Sequence, residues 1–334
     1  MKKMISIIIP VYKVEDYIER CLLSVMNQHC QDISIECIIV DDCSPDGSMQ
    51  IAKKLIENYS GNIQFEMISH DKNQGLSAAR NTGMRLAKGD FLLFLDSDDY
   101  ITDDCIQKLT DVVRQNPNVE VVKGNHQGRV DINLDRIPHG LLSNDQLLNF
   151  LYTGIIPVMA WNTLIKKSLV EKWGLSFKVG LIQEDILWTN LLFRHVNSFV
   201  FIPDVTYYYE SNPQSILGTN NDLVQTRYLS HRIDIVDELM TSFDTRHFGI
   251  FTCYLVSELM QIYDNMDKSE QIERDNKTHA RQLRNRLMKY TLQRFNVVLM
   301  VYELMLYMPF RLLMRLRLFR RHYYKLEKMV FKIV

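Results

Sequence analysis

The sequence predicts an α/β protein, a doubly wound, mostly parallel sheet with a C-terminal helical extension. Three observations carry that expectation. Four short, continuously apolar runs lie in the first hundred residues, at 5–11, 35–40, 63–68 and 91–95. Their centres recur at about 30 residues, the length of a βαβ unit. Helix-like stretches at 15–27, 48–59 and 77–87 fill the gaps. Continuous rather than alternating apolarity is what a strand covered on both faces requires.

Each element has a local reason. The run at residues 5–11 follows two lysines and ends in Pro10-Val11-Tyr12-Lys13 with no small-residue cleavage site, so it reads as a buried first strand rather than a leader. Ser44-Pro45-Asp46-Gly47-Ser48 supplies start signals for the second helix. Beyond Thr102 the pattern loosens. A helix is expected over 103–115, a strand over 119–123, a polar loop over 125–140, helices over 144–152 and 184–195, and strands over 199–203 and 206–210. Residues 221–294 read as helical and charged. The organisation expected is a sheet domain over 1–215, a helical region over 216–295 and a basic amphipathic segment over 296–334.

Composition narrows the function. With 39 Lys and Arg against 40 Asp and Glu, the chain is not basic throughout, so no nucleic-acid partner is expected. Hydrophobic residues at 46% suffice for a real core and exclude wholesale disorder. Six cysteines without a CxxC pair fit reduced thiols in a cytoplasmic protein. No GxGxxG follows the first strand and no GxxxxGK[ST] occurs, which argues against a nicotinamide or flavin site and excludes a P-loop.

The polar clusters share one location. Residues 10–13, 41–46, 70–75 and 96–99 each begin at or just past the end of an apolar run. In open parallel sheets, ligands bind outside the carboxyl ends of the strands, where such loops converge. Asp41 and Asp42 can accept hydrogen bonds from a base imide or ribose hydroxyls. In Asp96-Ser97-Asp98-Asp99, an extended segment would point Asp96 and Asp98 the same way. Hard oxygen ligands of this kind suit Mg²⁺ or Mn²⁺ with a diphosphate; the same residues would also suit a cap for the following helix.

These residues carry a resemblance. Ile7-Ile8-Ile9-Pro10-Val11-Tyr12, then Ile39-Val40-Asp41-Asp42-Cys43-Ser44, Asn73-Gln74-Gly75-Leu76-Ser77-Ala78-Ala79-Arg80-Asn81 and Asp96-Ser97-Asp98-Asp99 look like the ordered signatures of family 2 glycosyltransferases with the GT-A fold. The similarity covers residues 4–215 and is strongest in the first hundred. It implies an inverting, metal-dependent transfer of a sugar from a nucleotide-sugar, a UDP-sugar, to a hydroxyl of a glycan or lipid-linked oligosaccharide in cell-surface polysaccharide synthesis. Pro10, Tyr12 and Asp42 match positions that hold the uridine, with Asp41 in support. Arg80 and Ser97 match positions near the nucleotide-sugar. Asp96 matches the first carboxylate near ribose and metal, and Asp98 the direct ligand of Mn²⁺ or Mg²⁺. Where the family has Gly after the paired aspartates, this chain has Cys43.

Gly180-Leu181-Ile182-Gln183-Glu184-Asp185-Ile186-Leu187-Trp188 resembles the family's Glu-Asp signature, whose Asp deprotonates the acceptor. Asp185 is therefore the expected base, with Glu184 as the alternative; an acidic pair also suits a helix N-terminus for purely structural reasons. Trp161-Asn162-Thr163-Leu164-Ile165-Lys166 resembles the element before that base, and Tyr207-Tyr208-Tyr209 with Gln214-Ser215-Ile216 the loop after the last strand.

The end of the chain differs. In residues 311–334, Leu312, Leu316, Phe319, Tyr323, Leu326, Val330 and Ile333 recur at steps of four and three, with Arg317, Arg321, Lys325, Lys328 and Lys332 on the other side. Eight Lys or Arg against one Glu give this segment +7, leaving −8 for the rest of a chain of net charge −1. Such a helix suits an anionic membrane surface, so the expectation is a cytoplasmic protein held peripherally at the inner face of the cell membrane. The rival reading is a non-catalytic nucleotide-sugar-binding or membrane scaffold protein on the same fold.

Overall fold

The computed structural model describes residues 3–30, 32–128, 132, 134–212, 222–241, 247–266 and 270–292. The chain divides into two compact units, Met1–Leu151 with Ile155–Ser215, and Tyr152–Gly154 with Ile216–Val334. The expected basic segment, residues 296–334, and Gln214-Ser215-Ile216 lie outside the described residues.

The first unit opens with the expected alternation: β1 (Lys3–Val11), α1 (Ile18–Met26), β2 (Ile33–Asp41), α2 (Ser48–Glu57), β3 (Gln64–Ser69), α3 (Leu76–Leu86) and β4 (Phe91–Phe94). β3, β2, β1 and β4 lie side by side and parallel. The chain moves outward from β1 to β3 and returns to β4 on the other side of β1, so a crevice opens at the carboxyl ends of β1 and β4. Both faces are covered. Ile5, Ile7 and Ile9 of β1 are buried in one cluster with Ile18, Cys21 and Leu22 of α1. On the other face Ile8 meets α3 so closely that a Cβ on Gly83 would stand 2.3 Å from it. That double cover is why the run is apolar at every position.

One buried polar device fixes the turn into β4. Glu36 on β2 accepts hydrogen bonds from Ser6 Oγ (2.5 Å) and from the backbone N–H of Lys88 (2.6 Å) and Gly89 (3.1 Å). Gly89 fits because a Cβ there would stand 2.7 Å from the Ser6 nitrogen.

The later elements are β5 (Tyr100–Ile101), α4 (Cys105–Gln115), β6 (Val121–Gln127), β7 (Leu141–Ser143), α5 (Asn144–Tyr152), β8 (Thr163–Lys166), α6 (Lys167–Trp173), α7 (Glu184–Phe193) and β9 (Ser198–Tyr208). β8 runs antiparallel between β4 and β6, and β5 and β7 run antiparallel to β9, so this half of the sheet is mixed. Two expectations change here. The loop expected from residue 125 is strand to Gln127, because buried His126 stands edge-on to Trp161. The two strands expected at 199–203 and 206–210 are one, β9. The register against β6 shifts around Asn125, whose Nδ2 donates to Pro203 O, and this bulge absorbs the proline.

The second unit contains α8 (Asp222–Thr241), α9 (Phe248–Met266) and α10 (Glu270–Leu292), packed through Leu229, Ile233, Val236, Leu255, Leu259 and Leu283. A buried ion pair, Arg232 with Glu258 at 2.7 Å, links α8 to α9. Among the described residues no helix is long and apolar enough to cross a membrane.

Candidate active site

The site forms where β1, β2 and β4 end. Pro10 is buried at the end of β1, and Tyr12, just beyond it, is 41% exposed. Asp41 closes β2 and accepts the Ser44 N–H at 2.8 Å. Asp42 is buried, and both its oxygens are engaged within the protein. Oδ1 meets His70 Nδ1 at 2.7 Å and the Gln74 N–H at 2.8 Å, and Oδ2 accepts the Gly75 N–H at 2.7 Å. His70 continues to Thr82 Oγ1 at 3.0 Å. Asp42 thus anchors the 70–75 loop and the start of α3, where Gly75 has a φ of 90° that suits glycine. Among these residues, the Tyr12 ring is exposed, Asp41 is partly buried and Asp42 is buried.

The second acidic loop is built differently. Asp96–Asp99 is a turn closed by the Asp99 N–H on Asp96 O at 3.0 Å, rather than the extended segment expected. It does not cap a helix, since β5 follows and α4 begins only at Cys105. Asp98 Oδ2 accepts from Asn212 Nδ2 at 3.1 Å. Asp99 accepts from Tyr207 Oη at 2.5 Å and from the Glu210 N–H at 2.8 Å. Burial and the neighbouring Asp96 raise the carboxyl of Asp98. Burial, with Asp96 and Asp98, pushes Asp99 up to about 8. Ser97 is buried within the turn.

Arg80 joins this turn to the other side of the crevice. Its side chain is fully buried on α3 and over the Phe177 ring. Nη2 donates to Asp96 Oδ1 at 2.7 Å; Nη1 donates to Glu184 Oε1 at 2.7 Å and to Asp185 Oδ1 at 2.8 Å. Burial opposes its charge, but the three carboxylates overcome that and hold it protonated. Glu184 and Asp185 open α7, behind Gln183 in the left-handed region with a φ of 65°. Burial and Asp185 push Glu184 up to about 7 against the pull of Arg80. Burial likewise raises Asp185, opposed first by Arg80. Arg80, Asp96, Glu184 and Asp185 thus form one directly bonded group, whereas Asp42 belongs to the 70–75 loop.

A divalent cation fits the chemistry of the Asp96–Asp99 turn, where three carboxylates crowd together and two are pushed towards protonation. Among the described residues no three His, Cys, Asp or Glu side chains form a ready metal cage. Asn212, Phe177 and Lys123 join the site or its support without having stood out in the sequence. The aromatic run at 207–209 was visible, but its tie to Asp99 depends on a sheet pairing more than a hundred residues away.

Residues 6–174 match the sequence model described as Glycosyl transferase family 2. The chain belongs to this family. EpsJ of Bacillus subtilis, named an uncharacterized glycosyltransferase, is 31% identical over 226 residues, which are 65% of this chain and 63% of that protein. The poly(ribitol-phosphate) beta-glucosyltransferase of Bacillus spizizenii is 27% identical over 259 residues, 73% of this chain and 40% of that protein. The chain thus spans less than two thirds of the length of these relatives. The crystal structure of S. aureus TarS 1–349 in complex with UDP-GlcNAc superposes with a TM-score of 0.62 at 20% identity, covering 86% of this chain and 81% of that one. This likeness shows the GT-A type of fold. The family match ends before Glu184, so the Arg80–Glu184–Asp185 junction extends the site beyond the matched segment.

Proposed function

We propose that this chain is an inverting glycosyltransferase that moves a sugar from a UDP-sugar to a hydroxyl of a glycan or lipid-linked oligosaccharide in cell-surface polymer synthesis. The carrying observation is the Arg80 junction, which joins an acidic turn suited to a diphosphate to a carboxylate pair suited to a hydroxyl proton. The names of the relatives and the UDP-GlcNAc bound to TarS support the donor class and the polymer setting.

In this reading the exposed Tyr12 ring and Pro10 pack against the base, and Asp41, with acceptor capacity to spare, reads its imide or the ribose. Asp42 acts by holding the 70–75 loop. Asp98 chiefly, with Asp96, would hold Mn²⁺ or Mg²⁺, and Ser97 lies beside the nucleotide. When bound, that cation offsets the charge that builds on the leaving diphosphate. Asp185 keeps Oδ1 on Arg80 and takes the acceptor's proton as the hydroxyl oxygen attacks the anomeric carbon and the bond to UDP breaks. Glu184, more deeply buried and pushed up to about 7, supports Arg80 and is the alternative base. The basic residues of 296–334 place the enzyme at the cytoplasmic face of the membrane.

The test incubates the protein with a panel of UDP-sugars and Mn²⁺, with and without chelator. Chelator-sensitive UDP release supports the reading; neither release nor UDP binding with any donor would falsify it. Asp185→Asn should retain UDP-sugar binding and lose turnover by about a thousandfold, the scale of a lost general base. Loss of both together would sink its assignment as the base.

A further inference from the structure

Lys123 lies on β6 with 1% of its surface exposed. A lysine so deep requires partners. Its Nζ donates to Met159 O at 2.7 Å, Thr163 Oγ1 at 2.8 Å and Trp161 O at 3.3 Å. These acceptors match the three N–H bonds of an ammonium. All three lie on the stretch 159–163 that leads into β8. Between them sits Ala160, whose backbone N–H serves Asp185 as a hydrogen-bond donor. The stretch is pinned from other sides as well. The Asn162 N–H donates to Phe94 O at 3.3 Å, and Thr189 Oγ1 of α7 donates to Val158 O at 2.6 Å.

We propose that Lys123 is a positioning residue for the Asp185 base, fixing the 159–163 stretch that presents the Ala160 N–H and holding the Asp185 carboxylate ionised through its charge. The inference rests on the sugar-transfer reading and deepens it. Four charged groups face Asp185: Glu184 on its own helix, Arg80 from α3, Asp96 from the turn after β4, and Lys123 from β6. Burial and Asp96 favour the protonated carboxyl, while Arg80, the Ala160 N–H and Lys123 favour the carboxylate. The pull is mutual, since burial draws Lys123 down to about 7 while Asp185 draws it up. Arg80 divides its charge among three carboxylates, so Lys123 is a counter-charge that Asp185 does not share with Glu184 by hydrogen bonding.

The experiment follows UDP release against pH with whichever of UDP-glucose and UDP-N-acetylglucosamine the wild type consumes, using a cell-wall acceptor extract. In Lys123→Met the acid limb of kcat/KM should move up by about one pH unit, a loss of roughly tenfold on that limb. The affinity for UDP, measured by calorimetry, should stay within twofold. Lys123→Gln, which can still donate to the carbonyls but carries no charge, should show the same limb and recover part of kcat. Thr163→Val keeps the charge and removes one acceptor, so it should lower kcat with a smaller displacement of the limb. A uniform fall in rate with an unmoved limb in both Lys123 variants would overturn the inference and leave the transfer reading intact. A wild type that consumes neither donor and binds no UDP would overturn both.

Discussion

Two acidic loops, each at the carboxyl end of a parallel strand, look alike in sequence and are opposite in physics. At Asp42 a buried carboxylate is surrounded by donors: two backbone N–H groups and His70. At Asp96–Asp99 three carboxylates share one tight turn, and the donors that reach them are Arg80, Asn212, Tyr207 and the backbone N–H groups of Glu210 and Asp98. The first arrangement stabilises the fold. The second stores charge repulsion, which a cation can relieve. A carboxylate at a strand end is therefore assigned by counting the donors around it.

The largest test of that contrast is Arg80→Met. It leaves Asp96, Glu184 and Asp185 without their shared counter-charge, and breaking a buried ion pair costs about 3–5 kcal/mol. Urea unfolding should show that loss, together with loss of turnover; an unchanged midpoint would mean the three carboxylates find other partners.

Next comes pH. A carboxyl held near 8 in the fold, as Asp99 is, but near 4 when unfolded stabilises fully below about pH 4 and loses that contribution as pH rises towards 8. In chelator, the wild type should lose stability relative to Asp99→Asn across that window, by a few kcal/mol on the scale of a shift of several units. Mn²⁺ should flatten the difference. A parallel pair of pH curves, without metal, would show that the repulsion is absent.

At the other loop, Asp42→Asn turns an amide NH₂ towards backbone N–H donors and should cost about 1–3 kcal/mol, read as a lower thermal midpoint. UDP affinity should fall less than in Asp41→Asn, because Asp42 acts through the loop it holds. Equal losses of affinity would move the base-reading role to Asp42. The smallest effect is expected from Tyr207→Phe, which removes one donor to Asp99 and should cost about 1 kcal/mol.

Much of this was legible in the sequence, for identifiable reasons. The first half of the sheet could be read because strands covered on both faces are apolar at every position, and the turns between them announce themselves with Pro, Gly and Ser. Arg80, Asp96, Glu184 and Asp185 could be found from their signatures. Their mutual bonding could not, because it joins residues far apart in the chain. β8 has only four residues, too few for its antiparallel insertion to show in the local pattern. Pro203 suggested a break in β9, but the bulge opposite Asn125 absorbs it. Lys123 is the last residue of the strand expected over 119–123, and nothing near it in the sequence marks it out. Only the carbonyls of 159–163, brought across by β8, show why it stays.

The Arg80 junction also sets an order of events during synthesis. Its partners on α7 lie 104 and 105 positions further along the chain. At about 5–20 residues per second, roughly 5–20 s separate the emergence of Arg80 from that of Asp185. Through that interval the growing chain has the acidic turn and its arginine but not the Glu184–Asp185 pair. Contacts over such separations also close late in folding. The junction is therefore made only once α7 has emerged, well after β2 and β4, the strands that carry the two acidic loops.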